Sequence, residues 1–431
     1  MSAKEHPKQE KRMKRIVLTS CIILSSFFFT FCQHNNAPVH TGFKQPLVNP
    51  SLYENHNKDK VDLQDSDIIK KIHALDCYFE EEVRGGFNGS ALIVYKGDKI
   101  FERYYGYKDY ATKERLTNRS TFQIASTSKT FTSAAILMLL QQNMLSLDDT
   151  LQKFFPAFPY RGITIRMLLS HRSGLPDYLN FSEEYWKNKK AFMNNEDVLR
   201  MMIKYKPRIL NTPDRTFKYN NTNYILLALI VEKVSGQQFC DFLHQNIFIP
   251  LGMLDSWLYD PQSPRASATK GYKSSRWLED AIVYTDGVVG DKGIYSTVRD
   301  LYKWDQALYS GNFIRPEILS LAFTPQSFEK QGNKNYGLGW RMLDQPNGTR
   351  IIYHNGWWHG YNASFIRLID EDATIIVMGN KFTKAIYKSK TLAPVFGASY
   401  VVGEEEENDN KTETVSPTSG NTKKKVRRRR K

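Results

Sequence analysis

Apolar and polar positions fall into two kinds of pattern along this chain. The stretch "SALIVYKGDKIFERYYGY" (Ser90–Tyr107) reads as two strands around a Lys-Gly-Asp turn. The apolar runs then lengthen. "SKTFTSAAILMLLQQN" is apolar on most faces of a helix, so the helix it predicts is buried. "NTNYILLALIVEKVSG" (Asn221–Gly236) predicts a second, stopped by Gly236. "STVRDLYKWDQALYSG" (Ser296–Gly311) predicts a third, with Ser296 or Thr297 as its N-cap. After Asn335 strands return in "YGLGWRML", "TRIIYHN", "YNASFIRLI" and "ATIIVMGN". In this reading a strand ends at His354, Asn355-Gly356 turns the chain, and the next strand follows.

Strands therefore open and close the globular part, and helices fill the middle. The economical architecture is α/β: one sheet built from both chain ends, with a mainly helical domain inserted. The expected boundaries are 66–145 and 286–400 for the α/β domain and 146–285 for the helical one. Residues 33–65 are polar and rich in Asn, Asp, Lys and Pro, as a linker is. Residues 401–431 form a charged, low-complexity tail expected to be disordered.

The N-terminus changes the picture. "KRMKR" (Lys11–Arg15) precedes the apolar run Ile16–Phe31. A basic segment followed by a short apolar run reads as an export signal, here residues 1–32. As a helix the run would span roughly 24 Å, short of a hydrocarbon core of about 30 Å. Cys32 directly after it resembles a lipoprotein processing site, although Phe31 stands where such sites carry a small residue. An N-terminal lipid anchor on a membrane is the expectation that follows.

Composition excludes more than it assigns. Hydrophobic residues make up 41% of the 431 and aromatics 13%, enough for a large core. The net charge is +15, but the middle of the chain has no dense basic stripe with interleaved aromatics. A nucleic-acid role would rest on Lys423–Lys431 alone and conflicts with the export signal, so no specific nucleic acid is expected. Beyond the signal region only Cys77 and Cys240 remain. Two buried thiols or one long-range disulfide fit them. No Cys-x-x-Cys and no His-Glu-x-x-His occurs, so no metal and no cofactor is expected.

Ser126 and Lys129 are the first candidate pair. At the start of a buried helix, positions i and i+3 face the same way, so the hydroxyl and the amine can meet. The partial positive charge of the helix N-terminus and burial both disfavour an ammonium there. The alternative is a capping serine beside a solvated lysine. A second Ser-x-x-Lys, Ser327–Lys330, lies between a proline and a Gly/Asn loop with no apolar helix after it, and reads as surface. In "FKYNNTNY", Tyr219 and Asn221 stand one residue apart before a helix. They can shuttle a proton and hold an amine or an amide; equally, Asn221 can cap the helix while Tyr219 packs. In "IIYHNGWWHGYN", His354 and Gly356 flank Asn355 between late strands, either as ligand-facing groups or as an incidental hairpin.

In this order, Ser-x-x-Lys, Tyr-x-Asn and His-x-Gly resemble the serine β-lactamase and DD-peptidase superfamily, and its class C-like branch in particular. The second motif, Tyr219-Asn220-Asn221, differs from the Ser-Asp-Asn of class A enzymes. "LSLDDTLQKFFPAF", "MLLSHRSGLPDY", "IFIPLGM" and "GDKGIYSTVRDL" resemble the same branch, and together the likeness covers about residues 85–380. The resemblance implies an antiparallel sheet sandwiched by helices, with the active site between it and the inserted helical domain. It implies Ser126 as the acylated nucleophile, Lys129 as its base and Tyr219 as a proton relay. It also implies that Asn221 binds Lys129 or the substrate amide. His354 stands where many members carry the lysine of Lys-Thr-Gly, and Asn355 replaces the threonine. The Trp357 N–H, placed by Gly356, would join the Ser126 N–H as an oxyanion hole, where losing one donor typically costs about 2.7–4 kcal/mol of barrier. His171 and the Asp148-Asp149 pair are read as structural, and His359 as close enough to His354 to line the pocket.

The function implied is an exported, metal-independent serine hydrolase acting through an acyl-enzyme. Its partners would be small-molecule or peptidoglycan-type substrates: peptides ending in D-amino acids, β-lactams or small esters. The alternative is a non-catalytic envelope protein that binds muropeptides on the same fold.

Overall fold

A computed structural model describes residues 60–263, 265–273 and 277–402. The export signal, the possible site at Cys32, most of the linker and the charged tail from residue 403 lie outside these. Every described residue belongs to one compact unit.

The chain opens with helix α1 (Ser66–Arg84), capped by the Asp65 side chain. Strands β1 (Gly89–Tyr95) and β2 (Asp98–Tyr105) follow, then a short ribbon of β3 (Tyr107–Asp109) and β4 (Glu114–Arg115). After β5 (Phe122–Gln123) comes the buried helix α2 (Ser128–Gln141). The helical stretch includes α3 (Leu151–Phe154), α4 (Ile165–Leu169), α5 (Tyr178–Tyr185), α6 (Asn195–Tyr205) and α7 (Thr222–Ser235). Then come β6 (Trp257–Leu258), β7 (Ile294–Ser296) and α8 (Val298–Ser310). Five late strands complete the order: β8 (Lys334–Tyr336), β9 (Arg341–Asp344), β10 (Arg350–Trp358), β11 (Tyr361–Leu368) and β12 (Ala373–Gly379).

Seven strands form one sheet in the order β2-β1-β12-β11-β10-β9-β8. Every pairing in it is antiparallel, and the first strand joins the last. Both faces are covered. On β1, Leu92 and Val94 enter one core cluster with α2 and α8, while Ala91 and Ile93 enter another with α1. Burial on both faces is why β1 and β12 read as continuous apolar runs. A small second sheet, β5-β7-β6, leads into the turn before α2.

Two expectations need correction. Asn355-Gly356 does not turn the chain, because β10 runs unbroken through Trp358. The turn is His359-Gly360, both at positive φ (+45° and +74°), the backbone of a tight hairpin of the primed type. The two thiols are not buried either. Cys77 sits on the outer face of α1, its sulfur 3.3 Å from His73 Nδ1, and Cys240 is also exposed.

Candidate active site

The segment before α2 presents one hydroxyl. Ala125 is held at φ +47°, a strained conformation for alanine, and Ala125–Thr127 forms a single 3-10 turn. Tight winding brings residues three apart side by side, and Lys129 Nζ lies 3.0 Å from Ser126 Oγ. Lys129 is fully buried, which removes the reading of a solvated lysine beside a capping serine.

The other contacts of Lys129 decide what its amine can do. Nζ is 2.9 Å from Asn221 Oδ1 and 2.8 Å from the main-chain oxygen of Asp291. Both oxygens only accept hydrogen bonds. In its uncharged form the amine can donate its two hydrogens to them and turn its lone pair toward the Ser126 hydroxyl. Asn221 occupies the N-cap position of α7 but makes no side-chain cap, because its amide serves Lys129. Its own N–H is held by the half-buried Asp177 carboxylate at 3.1 Å, which also caps α5.

Tyr219 is buried beside this pair, its ring centroid 4.9 Å from Lys129 Nζ. It packs 4.2 Å from the ring of His171 and 5.1 Å from the guanidinium of Arg341. His171 is fully buried, and its Nδ1 accepts the N–H of Asn220 at 3.1 Å. Burial pushes its pKa well below the usual histidine value. His171 thus supports the Tyr219-Asn220-Asn221 segment, a structural role one step from the site.

His354 is also fully buried, with its ring centroid 6.4 Å from that of Tyr219. Nδ1 lies 2.7 Å from the Asn355 carbonyl oxygen and must carry the hydrogen, so Nε2 accepts from the Tyr336 hydroxyl at 3.1 Å. Burial, then the Arg341 guanidinium, hold its pKa well below the usual histidine value. His354 therefore stands behind Tyr219 with both nitrogens occupied, rather than as a free acid in the cleft. Asn355 accepts from Ser364 Oγ at 2.9 Å across the strand pair.

Gly356 explains why β10 can lie against the Ser126 turn. A Cβ there would stand 2.1 Å from the Ile124 carbonyl oxygen and 3.1 Å from Ser126 N. Only glycine permits this approach, and it sets the Trp357 backbone beside the Ser126 turn. A narrow cleft opens there, lined among others by Ser126, Asn221, Asp291, Lys292, Trp357 and Trp358. His359 does not line it. The ring turns away to Asp286 (3.1 Å) and borders a different cavity of about 360 Å³.

Ser126, Lys129, Tyr219 and Asn221 thus converge, with Gly356 and Trp357 against them and His354 one layer back. Asp177, Asp291, Asp286 and Tyr336 are parts of the arrangement that residue patterns did not reveal. Asp291 lies in the stretch "GDKG", but a main-chain oxygen leaves no mark on side-chain identity. Among the described residues no cluster of side chains could hold a metal ion.

An antiparallel sheet closed by its first and last strands, with a serine and a buried lysine at the start of a core helix, defines an active-serine hydrolase. The beta-lactamase family model matches residues 69–392, and the chain belongs to that family. Penicillin-binding protein 4* of Bacillus subtilis is 34% identical over 336 residues, 74% of each chain. The crystal structure of a penicillin-binding protein from Bacillus halodurans is 26% identical, covers 75% of this chain and 99% of its own, and gives a TM-score of 0.65. The D-amino acid amidase of Ochrobactrum anthropi SV3 shares the fold at 22% identity and a TM-score of 0.62, over 78% of this chain and 98% of its own.

Proposed function

We propose that this serine hydrolase is exported to the cell envelope and cleaves amide or ester bonds through an acyl-enzyme on Ser126. The observation that carries the reading is the geometry of Lys129: a fully buried amine 3.0 Å from Ser126 Oγ, with Asn221 Oδ1 and the Asp291 main-chain oxygen placed to take its hydrogens. Ser126 Oγ attacks the carbonyl carbon and its proton passes to Lys129. The oxyanion is received by the N–H groups of Ser126 and Trp357. Collapse breaks the bond to the leaving group, which takes a proton relayed through Lys129 and Tyr219. Water then attacks the acyl-serine ester, frees the acid and restores the hydroxyl. The helical segment 146–285 supplies one wall of the cleft and β10 the other, in keeping with a site between two domains.

Candidate substrates are peptides ending in D-amino acids, β-lactams and small esters. The likeness to a penicillin-binding protein and to a D-amino acid amidase favours the first. His354-Asn355-Gly356 in place of Lys-Thr-Gly also tilts the reading from β-lactamase toward peptidase or esterase. Membrane attachment through Cys32 belongs to the same proposal. Among the described residues no helix is long and apolar enough to cross a membrane. Hydrolysis of a D-Ala-D-Ala peptide, nitrocefin and p-nitrophenyl esters, each compared with Ser126→Ala, tests the reading. Turnover of the peptide or ester above nitrocefin, lost in the variant, is expected. Turnover that survives Ser126→Ala would overturn it.

A further inference from the structure

We infer that Asp286 is a positioning residue for hydrolysis, clamping through Trp358 and His359 the end of β10 that carries the Trp357 N–H. The inference rests on the reading of Ser126 and Trp357 given above.

The clamp is built from three separate parts of the chain. Asp286 lies in a short 3-10 segment, Tyr284–Gly287, and is almost fully buried. One carboxylate oxygen accepts the indole N–H of Trp358 at 2.5 Å. The other pairs with His359 Nε2 at 3.1 Å and accepts the N–H of Val283 at 2.6 Å. Trp358 shares a strand face with Gly356, the residue in closest approach to the Ser126 turn, since alternate residues share a face. Both groups held by Asp286 therefore lie within two residues of Trp357.

Two features show that this end of the strand needs holding. His359 sits at φ +45°, a conformation costly to any residue but glycine, and persists only where its surroundings fix it. The segment carrying Asp286 is itself braced. Lys292 Nζ donates to the carbonyls of Thr285 (2.9 Å) and Val288 (3.1 Å), and lies 4.9 Å from the Trp358 ring. Lys292 directly follows Asp291, whose carbonyl receives Lys129. One network thus supports the base and the oxyanion strand together.

The charge of His359 is part of the clamp. Burial works against it, yet Asp280 and Asp286 carry its pKa up to about 9. Among the described residues these two carboxylates face the ring, Asp280 with Lys273 at 3.6 Å beyond it. Across the cavity stand Lys270 with Asp109 and Glu279, then Lys108 with Glu114. Arg265 and the phenols of Tyr259, Tyr295 and Tyr361 complete that wall. The pKa is raised above the unfolded value, so the ion pair is whole at neutral pH and lost as pH rises through about 9.

The test is the rate at which a fluorophosphonate modifies Ser126 between pH 6 and 10 in wild type, Asp286→Asn and His359→Gln. Steady-state kcat and KM on p-nitrophenyl acetate are measured beside it. Wild type should lose rate on an alkaline limb near pH 9. His359→Gln should be about tenfold slower at pH 8 and lack that limb. Asp286→Asn should lower kcat about 10- to 100-fold with KM changed less than threefold, a fraction of the loss of a whole oxyanion donor. If Asp286→Asn does not fold, His359→Gln, at the tip of the β10–β11 hairpin, decides alone. Variants that label at the wild-type rate with an unchanged limb would overturn the clamp and leave the nucleophile standing. A wild type that never labels at Ser126 would overturn both.

Discussion

Lys129 is where the chemistry concentrates. Its side chain makes its contacts with Asn221 and Asp291 only because it is fully buried at the start of α2. Replacing it with methionine keeps the apolar stem and removes the base. Labelling of Ser126 should fall about 10²- to 10⁴-fold, the usual worth of a positioned proton acceptor, while the melting temperature stays near wild type. Gly356 gives the second prediction at this scale. Alanine there would drive a methyl into the Ile124 carbonyl oxygen, 2.1 Å away. The strand and the nucleophile turn must separate, so Gly356→Ala should cost about 1–3 kcal/mol of stability and most of the labelling rate. Denaturant titration and labelling read the two losses separately.

The elements show what local pattern could and could not reveal. Helices α2 and α7 were legible because long apolar runs inside a globular part must be buried, and Gly236 and Thr297 marked ends as expected. The strands of both chain ends were legible for the same reason. The Asn355-Gly356 turn was misread because glycine in a short apolar stretch looks like a turn. Its real cause is Ile124, more than two hundred positions earlier, which no window on the sequence includes. The pairing of Arg367 on β11 with Asp305 on α8 at 2.7 Å was equally invisible, although both are fully buried. This pair joins sheet to helix. Asp305→Ala leaves the guanidinium buried without its carboxylate and should cost about 3–5 kcal/mol in urea unfolding. Replacing both partners by apolar residues should recover much of that loss.

At the scale of the whole molecule, distant loops meet behind the site. The Ser327–Lys330 segment, a surface stretch by its sequence, does carry a structural contact. Glu329 accepts from Arg172 Nη1 at 2.8 Å and from the Phe217 N–H at 2.5 Å, tying the His171 turn to the approach to Tyr219. Partial burial works against its charge, but the Phe217 N–H and Arg172 hold its pKa down to about 2. The folded value is depressed below the unfolded value of about 4.3. Its stabilisation is therefore present above that pH and lost as pH falls toward 2. Between pH 4.5 and 2.5 the melting temperature of wild type should fall more steeply than that of Glu329→Gln. Of the candidate site, the convergence of Ser126, Lys129 and Tyr219 was legible from motif order, while the aspartates around them were not. Asp177, Asp286 and Asp291 act on partners 44 or more positions away through main-chain or indole groups.

The central claim is that Ser126 is acylated with Lys129 as its base. Intact-mass spectrometry of the protein after incubation with a fluorophosphonate and with benzylpenicillin tests it most directly. Wild type should gain one adduct that peptide mapping places on Ser126. Lys129→Met should gain it far more slowly, and Ser126→Ala not at all. An adduct of equal yield in Ser126→Ala, or none in wild type, would contradict the account.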